Sequence, residues 1–175
     1  YWHFKSKEAL INEMATLILV EACAQLARAK ASNDWTASVL AFGQAIRTNL
    51  LKYRDGGRVV AGSRLTNTLF HEATEQMGSL LLQAGLSNRQ AVVLLSTVYT
   101  FTVSFVVEEQ AVFPRPGERS ASYDLDERNK ALDARKFPFM RKAGPVLFDQ
   151  FDRRYVESMK LILKGAKALS SVDAS

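Results

Sequence analysis

Cysteine, histidine and proline are scarce in this sequence: its 175 residues include one Cys, two His and four Pro. The single thiol, Cys23, forbids an intrachain disulfide and makes a reducing compartment the default. His3 and His71 come with no HExxH, no CxxC and no second cysteine, so no metal cluster has ligand spacing. No G-x-S-x-G, P-loop or strand-leading GxGxxG occurs, which removes the common hydrolase, NTPase and dinucleotide signatures. No apolar signal segment follows Tyr1 and no initiating methionine is present, so the sequence reads as part of a longer protein. Three of the prolines (Pro114, Pro116, Pro138) lie between positions 114 and 138, leaving everything before Gln110 free to be helix.

What is present is a long uncharged run. From Ala91 to Val107 no residue carries a charge, and Ser87 with Gln90 three residues later has the spacing of a helix capping box. A helix apolar all round must be buried all round, which in a chain of this size calls for another subunit on one side. Seventeen uncharged residues rich in Ser, Thr and Tyr hydroxyls favour a core helix over a membrane span, so no membrane partner is expected. A formal net charge of +5 is mildly basic and does not select a partner.

Taken in order, Ser6 caps a helix to about Lys30, with Leu10, Ile11, Met14, Leu17, Ile18 and Ala22 as its stripe. Ser32-Asn33-Asp34 breaks it and caps a second helix from Trp35 to about Leu50, closed by Arg54-Asp55-Gly56-Gly57. Thr66 caps a third that Gly85 ends, and the uncharged helix follows. Residues 111–123 have no periodicity and read as a mobile surface loop, a lid beside a cavity mouth. Asp124 to Glu127 opens a short charged helix up to Arg135. Gly144-Pro145 marks the start of the last helix, with Phe148, Phe151, Tyr155, Met159, Ile162 and Leu163 in one stripe. The fold class is all-α.

No acid/base pair or nucleophile emerges. Cys23 inside an apolar stripe reads as inert core, His71 as surface or core edge, and Glu108-Glu109 as a solvated helix end or a buried polar contact. Phe42, Ile46, Leu80, Leu94, Leu95, Tyr99 and Phe101 can face one interior with Asn49, Ser63, Arg64, Gln76 and Glu108 as sparse polar groups. That is the composition of a small-molecule cavity between helices, and equally of a plain core.

The opening YWHFKSKEAL resembles the end of the recognition helix and the start of the connecting helix in TetR-type transcriptional repressors. YRDGGRVVAGSRLT and VVEEQ resemble the regulatory domain of the tetracycline-repressor branch, leaving residues 111–145 least similar. The resemblance implies a TetR-type inducer-binding and dimerisation domain over residues 6–175. Residues 1–5 would be a remnant of the DNA-recognition helix, most of the helix-turn-helix being absent. It implies a cytoplasmic homodimer that takes a small-molecule inducer and releases operator DNA, is not an enzyme and needs no cofactor. Tyr1, Trp2, His3 and Lys7 would lie at the DNA backbone, where their donors suit phosphate. Ligand contacts would come from Phe42, Ile46, Val60, Ser63, Arg64, Gln76, Leu95, Tyr99 and Glu108. Val60 stands where the branch has a magnesium-binding histidine, so no metal is expected and the ligand is expected to be mostly apolar. The dimer would form through the uncharged helix and the last one, using Phe148, Phe151, Tyr155, Met159 and Ile162. A ligand-free dimerisation module, or a helical carrier or enzyme, are the competing readings.

Overall fold

The computed structural model describes residues 5–28, 34–65 and 68–172. Among them the helices are α1 (Lys7–Arg28), α2 (Trp35–Leu51), α3 (Gly56–Val60) and α4 (Thr68–Gln83). After these come α5 (Asn88–Val112), α6 (Leu125–Ala131), α7 (Pro138–Phe148) and α8 (Phe151–Val172). One 3-10 turn, Ala121–Tyr123, precedes α6, and no described residue forms a strand. Tyr1, Trp2, His3, Ser32, Asn33 and Thr66 lie outside the described residues.

Local chemistry sets most helix ends. Ser6 Oγ accepts from Ala9 N at 3.1 Å, and Asp34 accepts from Thr36 N at 2.9 Å. Ser87 and Gln90 close a reciprocal box at the start of α5, each side chain bonding the other's backbone. At the end of α4 the Leu86 amide reaches back to Leu81 O and Gly85 N to Leu82 O, with Gly85 at φ +90°. This reversal needs a left-handed residue, which glycine supplies without strain. Asp124 caps α6 by accepting from Glu127 N.

Three boundaries differ from expectation. Gly56-Gly57 does not close a turn but opens α3, after a left-handed Asp55 at φ 56°. The last helix does not start at Pro145: that proline lies inside α7, whose first turn holds Pro138, and α8 begins at Phe151. The charged helix also stops earlier, at Ala131, because Asp133 turns to bond the amides of Arg135 and Lys136.

α5 runs through the middle, packed by α2, α3, α4 and α8. Its buried line is Ala91, Leu94, Leu95, Val98, Thr102, Val103, Phe105 and Val106. α2 meets α5 and α8 at Gly43, where a Cβ would stand 2.6 Å from the Tyr155 hydroxyl. Tyr155 is fully buried, shares a 2.8 Å hydrogen bond with Thr102 Oγ1, stacks on Phe101 and meets Phe105 edge-on. Burial pushes its hydroxyl up to about 12, against the opposing pull of Thr102 and Arg47.

α5 is therefore not buried on all sides within one chain. Val92 and Val93 are 58% and 51% exposed, and Ser96, Thr97, Thr100 and Ser104 continue that open face. By length and composition α5 could cross a bilayer, although 44% of its most apolar stretch is packed inside the protein. On α1 the buried face is Ala15, Ile18, Leu19, Ala22 and Cys23, while Met14 and Leu17 point outward.

Candidate ligand-binding site

The expected ligand residues divide into three groups. Phe42 and Ile46 on α2, Val60 on α3 and Leu95 on α5 are buried in one apolar cluster, with Phe70, Met77 and Tyr99 packed against it. Tyr99 meets Phe70 of α4 edge-on at 6.2 Å, and burial raises its phenol above the ordinary value. Arg64 and Gln76 are exposed, and the half-buried Ser63 hydroxyl donates to Val59 O. Glu108 does not reach Arg64. Its carboxylate binds the guanidinium of Arg154 on α8 at 2.9 Å. The structure thus brings the apolar residues together and leaves the polar ones at the edge.

α4 is the loose wall of this cluster. Only Leu81 is fully buried along it, whereas Phe70, Met77 and Leu80 are half-buried and Leu69 is exposed. Asn49, read as a cavity polar group, is fully buried, and its amide donates to Ala45 O and to Gln25 on α1. Two further contacts fasten α1. Asn12 accepts from the Arg64 amide at 3.1 Å, and Glu21 accepts from the Tyr53 hydroxyl at 2.7 Å. The Tyr53 bond, helped by Lys52, holds the Glu21 carboxyl below the usual carboxylate range.

The structure corrects the reading of the last helix. Phe151, Tyr155 and Met159 are buried within their own chain, on the face of α8 that meets α5 and α2, so they are not surface available to a second subunit. Phe148 and Ile162 are half-buried at the edge of the same cluster. The apolar surface α8 leaves open is Leu161, 72% exposed.

In Glu108-Glu109 each carboxylate takes its own arginine, Glu109 while mostly buried and Glu108 while 42% exposed. Arg47 donates to both oxygens of Glu109, at 2.9 and 2.6 Å, and also to Asp152 at 2.7 Å. Its guanidinium lies 5.1 Å from the Tyr155 ring centre and that of Arg154 4.6 Å from the Phe105 ring. Burial opposes the charge on Arg47, but Glu109 and Asp152 together more than restore it. Sequence reasoning missed both arginines. The usable signal was an arginine four residues after Gly43, on a face otherwise buried. Gln110 was missed too: it accepts from Gly57 N and donates to Leu50 O and Tyr53 O, tying α5 to the α2–α3 corner.

Residues 111–123 are not a free loop. Arg119 donates to the carbonyls of Tyr123 and Phe148, pairs with Asp149 and covers the Phe113 ring. Cys23 is buried and its thiol is pushed up by desolvation, as an inert core thiol requires. Among the described residues no group of three or more His, Cys, Asp or Glu could hold a metal ion.

Residues 29–170 match the family described as Tetracyclin repressor-like, C-terminal domain. The chain belongs to this family. It is 33% identical over 165 residues to the tetracycline repressor protein class A from transposon 1721 of Escherichia coli, covering 94% of this chain and 72% of that protein. Among solved structures, a possible TetR family transcriptional regulator from Streptomyces coelicolor A3(2) superposes with a TM-score of 0.82 at 29% identity, covering 97% of this chain and 82% of that one. The class A TetR in complex with 5a,6-anhydrotetracycline and magnesium gives 0.67 at 27%, over 96% of this chain and 79% of its own. Family and fold agree with the resemblance read from the opening residues.

Proposed function

We propose that this chain is the ligand-sensing and dimerising part of a cytoplasmic transcriptional repressor, in which a mostly apolar small molecule entering among α2, α3, α4 and α5 causes release of operator DNA. The family match over residues 29–170 carries this reading. The closed apolar cluster beside a loosely held α4 supports it: a ligand displacing Phe70 and Met77 would gain the apolar contacts of Phe42, Ile46 and Leu95. Movement at Ser63-Arg64 would reach α1 through the Arg64–Asn12 bond. α1 begins at Lys7, which with Tyr1, Trp2 and His3 before it in sequence is assigned by the resemblance to the DNA backbone. Ligand binding then shifts the pair of DNA-binding units between two arrangements.

A second copy is expected on the open faces of α5 and α8, at Val92, Val93 and Leu161, rather than at the buried stripe. The match to repressor proteins favours this reading over a helical enzyme.

The magnesium seen with the class A relative does not fit the residues here. Val60 offers no lone pair and is fully buried, and Glu108 is committed to Arg154. Magnesium needs near-octahedral oxygen ligands and dehydrates reluctantly, so one engaged carboxylate does not suffice. Ligand binding should therefore be independent of magnesium, and tetracycline affinity weak. Calorimetry with tetracycline, with and without Mg²⁺, tests this. Tight binding abolished by EDTA would overturn the assignment of Val60 as a lost ligand.

A further inference from the structure

A second concave site lies at the C-terminal end of α5. A groove of about 840 Å³ opens between the C-terminal end of α2, the C-terminal end of α5 with residues 113–117, and the start of α8. That volume lies within the range of small-molecule sites. Its lining includes the apolar side chains Leu51, Phe113 and Phe151, with Pro114 and Pro116 beside them. Four cations also line it: Lys52, Arg54, Arg115 and Arg153.

Three carboxylates line the groove too, and each is engaged. Glu109 and Asp152 are bound by Arg47, and Asp149 by Arg119, neither arginine belonging to the lining. The cations have the opposite arrangement. Lys52, Arg54, Arg115 and Arg153 pair with Glu21, Asp55, Glu118 and Glu157, none of which lines the groove. These pairs are exposed; that of Arg54 is loose at 3.7 Å, and Lys52, 3.5 Å from Glu21, also donates to Asn49 Oδ1 at 2.7 Å. Exposed ion pairs contribute little, so an incoming anion displaces such partners at small cost. Glu109 and Asp149 are harder to recruit, because Arg47 and Arg119 are mostly buried and hold further contacts, whereas Asp152 is 94% exposed and is held weakly.

We propose that this groove is a binding site for a small aromatic anion, a carboxylate or sulfonate, whose ring lies against Leu51, Phe113, Pro114 and Pro116 and whose charge meets Lys52, Arg54 and Arg115. Its lining includes none of the residues assigned to the inducer, although Phe151 belongs to the same apolar core and Leu51 and Phe113 pack against that core. Lys52 also holds Glu21 of α1, so a bound anion competes for a contact that fastens α1.

The test uses 2-naphthoate and its neutral analogue 2-naphthamide, titrated into the full chain and followed by backbone amide shifts. The expected result is saturable binding of 2-naphthoate with shifts centred on the amides of residues 51–54, 113, 115, 117 and 149–153, extending to Glu21, and much weaker binding of the amide. Arg54→Gln combined with Arg115→Gln should weaken 2-naphthoate by about fivefold per cation. Both side chains are exposed, so the fold should survive, as the helical circular dichroism would verify. Arg135→Gln, an exposed cation outside the groove, should change nothing. Equal affinity for acid and amide, shifts centred on Leu95 and Tyr99, or undiminished binding by the double variant would each overturn the proposal.

Discussion

Replacing Arg47 by methionine is the most informative single change in the core. Arg47 holds Glu109 through two hydrogen bonds, with both side chains only 12–13% exposed. Breaking a fully buried pair from one side costs about 3–5 kcal/mol, because the remaining charge is stranded. Glu109 keeps some access to water, so the lower half of that range applies. The Arg47–Asp152 contact adds little, as Asp152 is 94% exposed. Loss of the guanidinium over the Tyr155 and Phe105 rings adds about 0.5–1 kcal/mol. The sum for Arg47→Met is about 3.5–5 kcal/mol, a large share of a typical domain stability. The double change Arg47→Met with Glu109→Leu removes the stranded charge and should recover to within about 1 kcal/mol of the parent. Urea unfolding at one fixed protein concentration measures this, since association would otherwise shift the midpoint. A loss below about 1 kcal/mol for the single variant, or a double variant no better than it, would show that the pair acts as a surface bridge.

Two other predictions address burial directly. Tyr155 keeps its proton to about 12 in the folded chain, whereas an unfolded tyrosine loses it near about 10. Stability from this residue is thus complete below pH ~10 and is lost as pH rises toward 12; alkaline unfolding that ends before the last tyrosinate absorbance appears would contradict it. Leu161→Glu or Val93→Glu should lower the apparent mass in light scattering with helix content retained, whereas Met159→Glu should unfold the chain; a folded Met159→Glu monomer would reverse the assignment of the two faces.

The parts of the fold legible in the sequence were those fixed by neighbours along the chain. Ser87 with Gln90, Asp34 before Trp35 and Gly85 after α4 each act within a few residues, and each does what its type and spacing require. Pro145 was harder to place, because Pro138 seven residues earlier suits a first turn equally well and proline chemistry alone cannot choose between them. The stripe Phe151, Tyr155, Met159 was periodic as expected, yet periodicity says only that a face is covered and not by which chain. On α1 two apolar stripes overlap, and small Ala15 and Ala22 mark the buried one while the larger Met14 and Leu17 lie outside. The arginines were least legible: Arg47 and Glu109 are 62 residues apart, and nothing local announces their pairing.

The same distinction decides how α5 should be read. Its inward residues are satisfied within the chain, down to Thr102 on Tyr155 and Glu109 on Arg47. Its outward residues, Val92, Val93, Ser96, Thr97, Thr100 and Ser104, carry no charge across more than three helical turns. A helix face made for water ordinarily carries Lys, Arg, Asp or Glu. The charged residues of this helix are instead at its two ends: Arg89 in the first turn, and Glu108 and Glu109 in the last two turns, where arginines of α8 and α2 hold them. Solvation therefore does not explain the middle of the open face, and a uniform, uncharged surface of small and β-branched residues suits close approach of a like helix.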